Sequence, residues 1–223
     1  MMTSSGTRAL LLCAAIACPL FMILVIVEGA LRTDYLSSVY PLSSLAIGNS
    51  GWVQISNFIV TGFLLVVFSF GLKQVCNTTS GKFQGPLLIR WVGIGLIGAG
   101  IFVTDPIFGY PTDGPLVLRQ FTFHGHLHDG FSMLVFICLP WACFVFRRYF
   151  MDKGMKGWSM YSAITGFSML ATFILASMGF KQVPEFVHYA GLFQRLCISM
   201  GWAWMTLLSL HFVKRSAFME PSI

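Results

Sequence analysis

Apolar residues gather in six long runs separated by short polar stretches. The runs extend from Ala9 to Ala30, Trp52 to Leu72, Leu87 to Thr104, Leu127 to Phe146, Trp158 to Gly179 and Leu192 to Val213. A helix that crosses the hydrocarbon core of a bilayer needs about 20 mostly apolar residues. The pattern therefore predicts an all-α fold: one integral membrane domain, residues 1–223, built as a six-helix transmembrane bundle. The first run contains Ala15-Ile16-Ala17-Cys18, which imitates a signal-peptide cleavage site. It continues from Pro19 through Val27, too far for a signal core, so a retained helix is expected. Between the first two runs, Ser37 to Gly51 is long for a simple loop and mixes Ser, Gly and apolar residues. It is expected to fold as a short capping helix or re-entrant segment, with Gln54 and Asn57 adding polar groups beneath it.

Composition supports a lipid surround. Fourteen basic and eight acidic side chains among 223 residues cannot form the polar skin of a soluble protein, which is about 25% charged. The 22 Gly fit helices that approach closely in a solvent offering no hydrophobic drive between them. The net charge of +6 does not indicate nucleic acid, because the basic residues are scattered through short loops. Their distribution indicates orientation instead. With both ends in the cytoplasm, the inner segments carry Arg8, Lys73, Lys82, Arg90, Arg147, Arg148, Lys153, Lys156, Lys214 and Arg215, and the outer side keeps Arg32, Arg119, Lys181 and Arg195. That ratio obeys the positive-inside rule. Five of the six Cys lie within apolar runs and Cys76 falls in an inner loop, so neither a disulfide nor a Cys metal cluster is expected.

Three motif matches fail on context. Gly93-Ile94-Gly95-Leu96-Ile97-Gly98 spells a dinucleotide fingerprint but lies inside an apolar helix with no preceding strand, so it reads as helix packing. Asn77-Thr78-Thr79 is a glycosylation acceptor only by pattern, since its loop is predicted to be cytoplasmic. Trp52, Trp158 and Trp202, each after a Gly, read as interfacial tryptophans.

Ionisable groups within or beside membrane spans tend to be paired, to face a cavity or to have a chemical role. Glu28 sits near the outer end of the first run. Asp105-Pro106 closes the third, where a helix C-terminus disfavours a carboxylate, so a compensating cation is expected from Arg119 or Arg195. His124-Gly125-His126-Leu127-His128-Asp129 leads into the fourth run. In a helix beginning by residue 123, His124 and His128 share a face at a spacing that can chelate a metal, and His plus carboxylate can perform acid–base chemistry. Glu185 and His188 lie in the last outer loop, and Arg195, about one turn into the sixth run, is expected to pair with Asp105 or Glu28. His211, at the opposite end, reads as interfacial.

The block Pro41 to Gly48, followed by Gly51-Trp52-Val53-Gln54 and Asn57-Phe58, then Gly100-Ile101-Phe102 with Asp105-Pro106, Gly109 and Pro111, resembles the domain-of-unknown-function 998 family of bacterial and archaeal membrane proteins. His128, Gly191-Leu192 and Gln194-Arg195 are similar to the same pattern, and the resemblance runs from about Leu12 to Phe212. It implies a compact membrane bundle, usually bacterial, with no established activity. It also weights Asp105, His128, Gln194 and Arg195, which fall on matched positions, over His124, His126 and His188, and so weakens a metal site built on His124.

Three readings of function stand side by side. The first is an enzyme acting on a lipid-like or hydrophobic substrate at the extracytoplasmic face. In it Glu28, Asp105 and His128 act as acid or base, and Arg195 positions an anionic group. The second is a transporter or binding protein for a small molecule or metal, and the third a non-catalytic assembly or sensing partner. Expected partners are the lipid bilayer and a hydrophobic small molecule, and a multi-pass place in the cell membrane follows. The sequence designates no cofactor and no metal set; haem would need His residues facing one another across the bundle, and none pair clearly.

Overall fold

The computed structural model describes residues 4–76, 83–107, 109–111 and 121–217. Six helices carry the chain: α1 (Ser4–Leu31), α2 (Gly51–Val75), α3 (Gly85–Ile101), α4 (Phe123–Asp152), α5 (Lys156–Phe180) and α6 (Ala190–Ala217). Short 3₁₀ turns at Leu42–Ala46 and Val187–Tyr189 precede α2 and α6. Among the described residues, α1, α2, α4, α5 and α6 are long and apolar enough to cross a membrane, while α3, with 17 residues, is shorter. At 1.5 Å per residue α3 reaches about 26 Å, close to the ~30 Å of a hydrocarbon core. The molecule is a multi-pass helical bundle. Asn77-Thr78-Thr79 and Arg119 lie outside the described residues.

Each helix packs on its neighbours in sequence, and α6 returns to pack on α1, so the six form a closed up-and-down ring. The shorter connections after α2, α4 and α5 favour antiparallel neighbours, whereas longer segments join α1 to α2 and α3 to α4. α1 runs unbroken through Cys18 and Pro19 and presents Leu11, Ala14, Cys18, Phe21 and Val25 to the interior. Ile16, Phe63, Ile137, Phe167, Ile174 and Leu207 point outward from five different helices. An apolar exterior of that extent suits lipid rather than water.

The glycines of α3 face two ways. A Cβ on Gly93 would come within 2.6 Å of the Gly62 carbonyl oxygen of α2, and one on Gly62 within 2.5 Å of the Gly93 oxygen. Gly95 and Gly98 instead meet the Phe131 oxygen and ring of α4. The apparent nucleotide fingerprint is thus a packing device that lets α3 lie flush against both neighbours.

One expectation is corrected. Trp202 is not interfacial: it is 1% exposed, as Trp204 is 0% exposed, and both fill the bundle interior along α6. The interior of the ring is wide enough for indole rings, and Phe21 meets the Trp202 ring edge-on at 5.5 Å. His211, near the other end of α6, is half-buried and packs against Trp158 and Phe150 at 4.8 and 5.6 Å.

A methyl group at position 62 meets rigid backbone, the Gly93 oxygen at 2.5 Å and the Ile97 nitrogen at 2.9 Å, as well as Ile97 Cγ1 at 2.8 Å. Gly62→Ala is expected to destabilise the protein by about 1–3 kcal/mol. Gly130→Ala, where nothing lies within 4 Å, is expected to be neutral or stabilising by up to about 1 kcal/mol. Thermal unfolding in detergent compares the two; a Gly62→Ala protein as stable as wild type would refute the backbone contact.

Candidate functional site

The end of the ring where α1 finishes and α2 begins is roofed by residues Tyr35 to Gly51. This segment is the cap expected from sequence, and its only regular structure is the 3₁₀ turn Leu42–Ala46, buried at every residue. Two arginines hold it. Arg32 donates from Nη2 to the Glu28 carboxylate and the Leu45 oxygen, both at 2.6 Å, and from Nη1 to the Ile47 oxygen and the Tyr110 hydroxyl, both at 2.8 Å. Arg195, from α6, donates to the Tyr40 oxygen at 3.0 Å, the Gly191 oxygen at 3.1 Å and the Tyr35 hydroxyl. The Tyr35 hydroxyl in turn donates to the Pro41 oxygen at 2.9 Å. Burial pushes that phenol up to about 12 against the opposing pull of Arg195, so it keeps its proton at neutral pH. Gln194 completes the anchorage by accepting from the Leu42 amide at 2.8 Å.

The expected pairing of Arg195 with Asp105 or Glu28 is therefore corrected. Glu28 is taken by Arg32 one turn along the same helix edge, an i,i+4 pair. Arg195 is satisfied by carbonyl and hydroxyl dipoles, so exchanging the charges at 105 and 195 has no ion pair to restore.

Asp105 resolves its dipole problem differently. The chain after α3 folds back so that the carboxylate meets the N-terminus of α4, accepting from the Thr122 amide at 2.8 Å and its hydroxyl at 2.7 Å. Thr122 itself caps α4 by accepting from the Gly125 amide at 3.0 Å. A negative charge placed there complements the positive end of α4, so no cation is needed. Gly125 is what permits the approach, because a Cβ at that position would lie 2.0 Å from Asp105 Oδ2.

α4 begins at Phe123, four residues before its apolar run, because the cap rather than hydropathy sets its start. The three histidines consequently lie within its first two turns. His124 packs on Phe102, and His126 on Phe121. His128 turns inward, 2% exposed, with Nδ1 at 3.0 and 2.8 Å from the oxygens of Ala99 and Phe102. Two carbonyl acceptors require Nδ1 to carry a proton, which leaves Nε2 as the ring nitrogen that those carbonyls do not engage. Those carbonyls are among the last of α3 and have no partner of their own along the helix. α3 and α4 therefore cap one another: His128 closes the end of α3, and Asp105 closes the start of α4.

Beneath the roof lies a cavity of about 550 Å³, lined from all six helices with α4 and α5 contributing the largest shares. Its roof is Pro41, Leu42 and Ser43; its floor includes Phe21, Phe58 and Trp202; its walls carry Met133, Phe136 and Phe173. Asp105, His128, Asp129, Lys181, Gln182 and Gln194 supply polar groups along it. Of the four residues singled out from sequence, Asp105 and His128 line the cavity. Glu28 and Arg195 belong to the anchorage of its roof. Among the described residues no group of three or more His, Cys, Asp or Glu side chains is placed to hold a metal ion. Arg32 and the ring-packed trio Tyr35, Tyr40 and Tyr110 were missed as site components, although Glu28-x-x-x-Arg32 is a legible helix pair. Asp129 entered only as the last residue of the histidine-rich run, and nothing in the sequence distinguishes Lys181 or Gln182.

A family model described as "Protein of unknown function (DUF998)" matches residues 15–211. The chain belongs to the DUF998 family. No curated protein and no solved structure matches it. The DUF998 match begins within α1 and ends within α6, so it takes in the whole ring, the roof and every described cavity residue.

In this DUF998 chain Gly125 matters only because of its neighbour. Gly125→Ala is expected to lower stability by about 1–2 kcal/mol, as the α4 cap is displaced. In an Asp105→Ala background the same change is expected to have little further effect. A double-mutant cycle read by thermal unfolding checks this coupling, and additive losses would disprove it.

Proposed function

We propose that the protein draws one small hydrophobic or amphiphilic molecule from the bilayer into the α4–α5 cavity and acts on it with His128. The cavity carries this reading: its volume lies in the range of small-molecule sites, and its apolar walls converge on a few fixed polar groups. His128 is held through Nδ1 by two backbone carbonyls, which fixes the ring and leaves Nε2 as the nitrogen that can serve as a general base. Asp105 is the second titratable group at the site, and Glu28 and Arg195 act indirectly, by keeping the roof in place. The imbalance of basic residues favours a cell-membrane protein with both ends in the cytoplasm and the roofed end outside. Conduction is disfavoured, because the buried polar side chains toward the other end, such as Ser69, Ser162 and Ser209, are neutral.

A second reading, binding without turnover, is favoured by one observation. All four nominated groups already spend hydrogen bonds on structure: Glu28 on Arg32, Arg195 on the roof, Asp105 on Thr122 and His128 on the end of α3.

Ala176 is 2% exposed and lines the cavity, so Ala176→Phe fills it. Mass spectrometry of gently purified protein is expected to show a co-purifying small lipid that Ala176→Phe loses; equal retention would sink the cavity as the site. His128→Asn keeps a donor where Nδ1 stands and removes Nε2. It is expected to retain the ligand while abolishing the change in cellular lipids that wild-type expression produces. A lipid profile that wild type leaves unaltered would favour binding alone.

A further inference from the structure

The last turn of α5 ends in an unusual way. Lys181 closes the helix and Gln182 follows at φ 63°, the left-handed region. The Gln182 amide bonds the Gly179 oxygen at 2.9 Å and the Val183 amide the Met178 oxygen at 3.1 Å, the paired bonds of a Schellman ending. Glycine is favoured at that position because any Cβ there crowds the following carbonyl. The same chain provides its own comparison at the far end of the molecule. α4 finishes with the same two bonds, Gly154 to Met151 and Met155 to Phe150, and there the left-handed residue is glycine, φ 71°. Every other described residue with positive φ, Gly48 and Gly109 included, is glycine as well. The one non-glycine exception borders the cavity.

We infer that Gln182 is a specificity residue, retained against its backbone preference because its carboxamide meets the polar head of an amphiphile whose tail fills the cavity. The inference rests on the cavity being a ligand site. It also names the head. Asp105 is already answered by Thr122 and the start of α4, which leaves Asp129 against Lys181 along the cavity, one charge of each sign that favours neither an anionic nor a cationic head. The Gln182 carboxamide nitrogen lies 3.5 Å from the Gly179 oxygen, which leaves its second hydrogen and its acceptor oxygen for an uncharged head bearing hydroxyl or ester groups. A single-chain neutral lipid of the monoacylglycerol class combines such a head with an apolar tail for the Phe-lined walls.

The test measures equilibrium binding of radiolabelled 1-monooleoylglycerol to the full-length protein in nanodiscs, with oleate and oleylamine as charged comparators, alongside thermal midpoints. Wild type is expected to prefer monooleoylglycerol. Gln182→Gly is expected to raise the midpoint by about 2–4 °C, as left-handed strain is relieved, and to weaken binding about tenfold, the worth of a hydrogen bond or two. Gly154→Gln, the mirror change, is expected to lower the midpoint and leave binding untouched. Gln182→Gly binding as tightly as wild type, or failing to gain stability, overturns the inference, and a preference for oleate or oleylamine overturns the neutral head. Ala176→Phe separates the two levels. If it binds as well as wild type, the cavity itself is wrong; if it loses binding while Gln182→Gly keeps it, only the role of Gln182 falls.

Discussion

The roofed end of this protein depends on guanidinium groups donating to backbone carbonyls. An irregular segment at the edge of a membrane has oxygens that no helix satisfies, and leaving one buried and unpaired costs about 2–7 kcal/mol. Residues Tyr35 to Gly51 present such oxygens at Tyr40, Leu45 and Ile47, and Arg32 and Arg195 reach them from opposite sides of the α1–α6 seam. The planar fork of arginine suits this task, since one head can serve three or four acceptors at once. The Glu28 carboxylate neutralises the first charge. The second is met by dipoles and by the face of Tyr35, 5.4 Å from the guanidinium. With the roof in place, Pro41, Leu42 and Ser43 become the upper wall of a cavity rather than a loose loop.

The same logic of satisfying helix ends places the chemistry. α3 and α4 are antiparallel, so the carbonyl-rich end of one lies beside the amide-rich end of the other. His128 and Asp105 cross between them, each meeting the opposite polarity. Both side chains are thereby fixed in orientation, and both border the cavity. A group held by its structural bonds is preorganised for a ligand at its remaining face. The structural role and the proposed chemical role therefore fall on the same two residues, whereas Glu28 and Arg195 hold the roof.

At the cavity mouth the balance changes again. Membership of the DUF998 family gives the ring a lineage without a reaction, so the physical arrangement of the site carries the functional reading. The cavity walls are largely apolar, and the rim mixes charges of both signs with neutral amides. In the proposed reading such a rim holds a polar head beside an apolar tail. Gln182 belongs to this rim at some expense in backbone energy, the kind of local inconsistency expected where function overrides stability.

Hydropathy alone determined the six helices, the capping segment between the first two, and the packing role of the α3 glycines, because bilayer thickness imposes a length and an apolarity that the chain displays directly. It also singled out Asp105 and His128, since ionisable groups are rare in such surroundings. Which groups meet was decided only by tertiary structure. Arg195 and Asp105 looked like partners by charge, yet one turned to carbonyls of the roof and the other to the start of α4, because unsatisfied backbone groups compete for side-chain bonds and leave no trace in residue type. Trp202 looked interfacial until the ring closed around it. The left-handed turn at Gln182 was equally hidden, because φ is set by how α5 must end against its neighbours, and a glutamine in the sequence gives no sign of it.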